Sequence, residues 1–77
     1  MTNKIKFVWD YYGIDSKKTA KHSLVHLEDF LKKNKINIYS KGIENQSDNH
    51  YYSFVILNIS HLKFIKEKLT PNRAFYY

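Results

Sequence analysis

The spacing of apolar residues changes along the chain, and these changes of period limit the folds open to it. The first segment alternates apolar and other residues with a period of two, which predicts a strand with one apolar side: Ile5, Phe7, Trp9 and Tyr11. From Lys17 to about Lys33 the apolar residues recur with helical spacing, and they form one stripe: Ala20, Leu24, Leu27 and Leu31. The predicted fold therefore opens with a strand followed by a helix.

Four further segments complete the prediction. A second strand is expected from Ile36 to about Ile43, and the polar stretch from Glu44 to His50 is expected to be a loop. Residues 51–59 are dense in β-branched and aromatic residues and predict the third strand. We expect Ser60 to cap a short second helix, and residues 74–77 to form a brief last strand.

This order of elements predicts a single α+β domain over residues 1–77. The order is β-α-β-β-α with a closing β, in which strand–helix–strand units require parallel, right-handed crossovers. The middle two strands form a hairpin. The expected architecture is ferredoxin-like: one sheet that contains antiparallel strands, with two helices on one face.

Composition restricts how such a small domain is stabilised and where it resides. The chain has no cysteine, so disulfides are excluded, and a core this thin favours association into an oligomer. Its longest apolar run, Phe54 to Leu57, is far too short to span a membrane, and we expect a cytoplasmic protein. Two glycines cannot build a Gly-rich phosphate loop, and no cofactor is expected.

The sheet face opposite the helices is also expected to be apolar. Strand alternation places five residues there: Val8, Tyr12, Tyr52, Phe54 and Ile56. Soluble monomers rarely expose a contiguous apolar patch of this kind, so something should cover it. The leading hypothesis is a homodimer that buries this face and holds a small ligand there, since two-fold dimers are the commonest oligomers.

Nucleic acid is an alternative occupant of the same face. The net charge is +6, and Tyr52, Phe54 and Val55 match part of the motif with which RNA-recognition domains stack bases. The lysine clusters, however, fall on the two predicted helices, away from those aromatic residues: Lys17, Lys18, Lys21, Lys32, Lys33, Lys35, Lys63, Lys66 and Lys68. The sequence therefore predicts only weak binding, through phosphate contacts.

A third hypothesis is an enzyme or metal site centred on the first helix. His22, His26 and Asp29 are spaced one helical turn apart, and histidines at this spacing can share a metal ion. Such a site would need a further ligand, from Asp10, His50, His61 or another subunit. The simpler interpretation is that they form part of a solvated polar face. Asp10, at the end of the first strand, and Arg73, before the last, would be the charged neighbours of an acid–base site with His22.

Several of these residues carry a resemblance to other proteins. The pattern consists of Trp9-Asp10, Gly13, Thr19-Ala20, His22, His26-Leu27, Pro71 and Arg73. It resembles a group of short bacterial proteins of similar length, and the resemblance covers most of the chain. Those proteins often have a second histidine where this chain has Ser23. They have no known function, so the resemblance implies a bacterial protein but no activity.

Overall fold

The computed structural model describes residues 3–77 and contains four strands and two α-helices. In chain order the elements are β1 (Lys4–Tyr12), α1 (Ser16–Lys33), β2 (Ser40–Ser47), β3 (His50–Asn58), α2 (Leu62–Leu69) and β4 (Arg73–Tyr76). A 3₁₀ turn, Ile59–His61, joins β3 to α2. No helix within the described residues is long and apolar enough to cross a membrane. The fold is α+β, as the sequence predicts.

The four strands form one antiparallel sheet with the order β2-β3-β1-β4. The register places Val8 of β1 opposite Phe54 of β3 on one side and opposite Arg73 of β4 on the other. Residues directly opposite one another project from the same face of a sheet. This register therefore decides which side chains from distant parts of the chain share a face.

The core lies between one sheet face and the two helices. Leu27 and Leu31 of α1 and Ile65 of α2 are buried against the sheet residues of this core: Ile5, Phe7, Trp9, Val55 and Leu57. The helices also contact each other, because the rings of Phe30 and Phe64 stack with their centroids 5.9 Å apart. Both the helical phase of α1 and the inward side of β1 are confirmed.

Helix α2 is attached to the sheet at its C-terminal end. The Trp9 indole Nε1 donates a hydrogen bond of 2.8 Å to the carbonyl oxygen of Leu69, the last residue of the helix. The cap at the other end differs from the prediction. The N-cap of α2 is His61, which makes no side-chain capping bond, and Asn58 instead caps the preceding 3₁₀ turn by accepting from Ser60 N at 2.9 Å. An Asn at the end of a strand can do this because its amide oxygen reaches the backbone two residues on.

Strand β2 lies later in the sequence than predicted. It begins at Ser40, because residues 36–39 form no strand and Ile36 is instead buried in the core. It then continues through the polar segment expected to be a loop, and Ser47 pairs with His50 across a two-residue connection. An edge strand with both faces largely exposed does not need an apolar pattern, so the polar sequence of β2 did not predict a strand.

Candidate functional site

The sheet face opposite the helices brings together the candidate residues of β1 and β3. We call this the open face, and it comprises Lys6, Val8, Asp10, Tyr12, His50, Tyr52, Phe54, Ile56, Arg73 and Phe75. All five residues predicted for this face lie on it. The β1–β3 register sets Val8 against Phe54, and Asp10 against Tyr52. Strands β1, β3 and β4 thus each contribute side chains to one surface.

The open face exposes less apolar area than the sequence suggests. Its aliphatic members are already buried within the chain, since Val8 is 1% and Ile56 is 3% exposed. Tyr52 and Phe54 are half-buried, whereas Tyr12 is 73% exposed. Gly42 leaves room for the Phe54 ring, because a Cβ atom there would lie 3.2 Å from two ring carbons. The protein therefore covers part of this face with its own aromatic rings.

Two cations lie over those rings. The Lys6 Nζ is 4.5 Å from the centroid of the Phe54 ring and 5.6 Å from that of Tyr52. The Arg73 guanidinium is 5.3 Å from the Tyr52 centroid and 5.7 Å from that of Phe75. The expected separation of basic and aromatic groups onto opposite sides is wrong for these residues. Strand alternation places Lys6 and Arg73 on the open face, whereas the prediction considered only the helical lysines.

A buried carboxylate organises one part of this surface. Asp10 receives two hydrogen bonds from Arg73, from Nε at 3.0 Å and from Nη2 at 2.7 Å. It also lies 2.7 Å from His50 Nε2, and its own backbone N–H donates to the Asn72 side chain. The Asp10 side chain is only 7% exposed, so these partners replace its lost hydration. Asp10 and Arg73 do meet, but the histidine beside them is His50 and not His22.

Aromatic and acidic groups surround this carboxylate. The Tyr12 ring stacks on the His50 imidazole with centroids 4.2 Å apart. The Tyr52 hydroxyl donates to Glu44 Oε1 at 3.3 Å. Burial raises the pKa of Tyr52 above its ordinary value of 10.0, and the negative charge of Glu44 and this hydrogen bond raise it further. Tyr52 is therefore a neutral hydrogen-bond donor at physiological pH.

Sequence reasoning missed Glu44 and Lys6 in this site, and it considered His50 only as a further metal ligand for the α1 histidines. His50 and Glu44 bound the segment interpreted as a loop, and Lys6 was a polar residue in an apolar strand. A hairpin with a two-residue connection would have been the signal, because it places His50 in the strand and opposite Tyr12. Nothing in the sequence shows that residues 10 and 73 are in contact.

The histidines of α1 form a separate, exposed pair. The Nε2 atoms of His22 and His26 are 2.9 Å apart, and their rings meet edge to face. Within residues 3–77 no three His, Cys, Asp or Glu side chains converge to form a metal site of three protein ligands. Asp29 therefore does not complete a three-residue site with the two histidines.

Comparisons with known proteins add no functional assignment. No protein-family description, no curated protein and no solved structure matches this chain. Function is therefore inferred from the geometry of the open face and of the histidine pair.

Proposed function

We propose that the open face binds single-stranded nucleic acid. The observation that carries the proposal is that Lys6 and Arg73 lie over the rings of Tyr52, Phe54 and Phe75 on one surface. Proteins that bind single strands combine cations for the phosphates with aromatic rings on which bases stack. The proposal places the protein in the cytoplasm, and the absence of cysteine is compatible with that location.

We also infer that the chain connections are those of the ferredoxin-like fold. The order β2-β3-β1-β4 with three antiparallel pairs supports this inference, as does the packing of both helices into one core. RNA-recognition domains use this topology and stack bases on the third strand of the sheet. Tyr52 and Phe54 of β3 are the corresponding candidates here, with the exposed ring of Tyr12 at the end of β1 beside them.

The charges of the open face limit the expected affinity. Asp10 partly neutralises Arg73, and Glu44 lies 3.6 Å from Lys6, so few cations remain for phosphates. Two phosphate contacts, from Lys6 and Arg73, would lower the affinity about sevenfold between about 50 and 200 mM salt. Stacking supplies the rest, at about 1–3 kcal/mol for each base. We therefore expect micromolar affinity with a modest dependence on salt.

A titration of fluorescent single-stranded oligonucleotides tests the proposal. Tyr12→Ala removes an exposed ring, and Lys6→Gln removes one cation, and each should weaken binding by about fivefold to tenfold. Lys66→Gln, on the exposed side of α2, is the matched control and should leave the affinity unchanged. A steep salt dependence together with loss of binding in Lys66→Gln would show that the helical lysines bind instead.

Self-association is the second candidate, and a feature of β4 favours it. This outermost strand exposes Phe75 and Tyr76 and has no charged residue after Arg73. The opposite edge, β2, carries Lys41 and Glu44 and an irregular register near its end. Charges and irregularities of this kind prevent edge strands from pairing with other chains, and β4 has none beyond Arg73. A two-fold pairing of β4 with its copy would give a homodimer.

The dimer proposal predicts a mass about twice the 9.3 kDa of the chain at micromolar concentration. Tyr76→Lys should convert it to a monomer, whereas Val25→Lys, at an exposed position on α1, should not. Dissociation by Phe54→Lys and not by Tyr76→Lys would instead identify the open face as the interface. The mass of a single chain at all micromolar concentrations would contradict a homodimer through either β4 or the open face.

A further inference from the structure

We propose that His22 and His26 form a two-histidine binding site for a divalent transition-metal ion, with Cu²⁺ bound most tightly and Ni²⁺ next. Two exposed imidazoles one turn apart on α1, with their Nε2 atoms 2.9 Å from each other, carry the inference. It is independent of the nucleic-acid proposal, since neither histidine belongs to the open face.

The separation of the two nitrogens suits one metal ion. Bonds between such ions and imidazole are about 2.0–2.1 Å long, so two nitrogens bound at a right angle lie about 2.9 Å apart. The observed distance between the two Nε2 atoms, 2.9 Å, equals this right-angle separation. Tetrahedral coordination would require about 3.4 Å. Right angles are the preference of Cu²⁺ and Ni²⁺ in tetragonal sites, and Cu²⁺ stands highest in the general order of affinities.

The helix holds both imidazoles on the same side of its axis. Residues four apart lie one above the other on a helix surface, and the backbone of α1 is fixed by the buried residues Ala20, before the pair, and Leu27, after it. Neither imidazole has another hydrogen-bond partner within residues 3–77. A metal ion would replace the hydrogen bond between the two rings, and water would occupy the other coordination positions.

The charged neighbours of the pair have opposite signs. Asp29 lies about one turn beyond His26, and Lys18 lies one turn before His22. The negative charge of Asp29 and the positive charge of Lys18 therefore offset one another near the histidine pair. Affinity rests on the chelate, which makes the second imidazole an intramolecular ligand and strengthens binding by about 100-fold over a single imidazole.

Titration calorimetry of the untagged chain with CuCl₂ and NiCl₂ tests the site. We expect one Cu²⁺ to bind per chain with micromolar affinity, and MgCl₂ to give no signal. His22→Ala and His26→Ala should each weaken Cu²⁺ binding by about 100-fold. His61→Ala, which removes a histidine outside the pair, is the control and should match the wild type.

Thermal unfolding gives a second readout and reveals any variant that fails to fold. A Ni²⁺ concentration ten times the dissociation constant should raise the midpoint of the wild type by about 5–10 °C and leave that of His26→Ala unchanged. Equal Cu²⁺ affinity in wild type, His22→Ala and His26→Ala would overturn the proposal. So would the absence of binding to the wild type at about 1 mM metal.

Discussion

Asp10 is the residue on which the open face depends most. Its side chain is 7% exposed and is held by Arg73 and His50, which come from β4 and from the start of β3. A buried carboxylate is stable only while its partners remain, because removal of one partner leaves the other charge without compensation. Asp10 therefore connects three strands through charge as well as through backbone pairing.

Asp10→Asn should destabilise the fold by about 2–3 kcal/mol, since it leaves the Arg73 guanidinium beside a neutral amide. This value lies below the usual range of about 3–5 kcal/mol because Arg73 is itself partly exposed. Urea unfolding, followed by the fluorescence of Trp9, the one tryptophan, measures the loss. Asp29→Asn changes an exposed carboxylate on α1 and should stay within about 0.5 kcal/mol of wild type. Equal stability of the two variants would show that the contacts of Asp10 with Arg73 and His50 contribute nothing to the free energy of unfolding.

Tyr52 should ionise at a higher pH than an ordinary tyrosine, because burial and Glu44 both disfavour the phenolate. Its raised pKa stabilises the folded state fully below pH 10.0, and this contribution is lost as the pH rises through the pKa of the folded protein. The difference in ultraviolet absorbance between wild type and Tyr52→Phe isolates its titration. Glu44→Gln should lower the pKa of Tyr52 part of the way toward 10.0, since burial remains. A titration at or below the ordinary value would contradict this account.

At the scale of elements, α1 shows how a helical period fixes packing. The stripe of Ala20, Leu27 and Leu31 is buried, and Leu24 packs against its edge. Val25, which lies off this stripe, is 56% exposed. The same period also places His22 and His26 on the solvent side. One regular pattern thus sets both the core contacts of the helix and the position of the histidine pair.

Leu27→Ala should cost about 2–5 kcal/mol, because it leaves a cavity between α1 and the sheet. Leu27 is 6% exposed and belongs to the core shared by both helices. The urea midpoint should fall strongly. Val25→Ala should change the free energy of unfolding by less than about 0.5 kcal/mol, so its urea midpoint should stay close to that of wild type. Similar midpoints for the two variants would contradict the packing of α1.

The sequence predicts some elements well because burial imposes a period on them. β1, α1 and β3 each pack one side against the core, and their apolar residues repeat accordingly. β2 is an exposed edge strand, so its residues carry no such pattern, and its position was predicted wrongly. That error removed His50 and Glu44 from the predicted site. The contact of Asp10 with Arg73 depends on strand order across more than sixty residues, which no local pattern encodes.

At the scale of the whole molecule, the two sides of the sheet differ in kind. One side carries both helices and the apolar core. The other side carries aromatic rings, cations and the hydrogen-bonded group of Asp10, Arg73 and His50. The helical lysines lie on the outer surface beyond the core. Weak phosphate binding by those lysines and base stacking on the open face would therefore occupy opposite sides of the protein.

Amide chemical-shift mapping with an unlabelled single-stranded oligonucleotide distinguishes the two sides most directly. At about 150 mM salt, where exposed charges are largely screened, we expect shifts in β1, β3 and β4 that centre on Tyr12, Tyr52 and Phe54. The amides around Lys18, in α1, should remain unshifted under these conditions. Shifts confined to α1 and α2, or no shifts at millimolar oligonucleotide, would contradict the proposal that the open face binds nucleic acid.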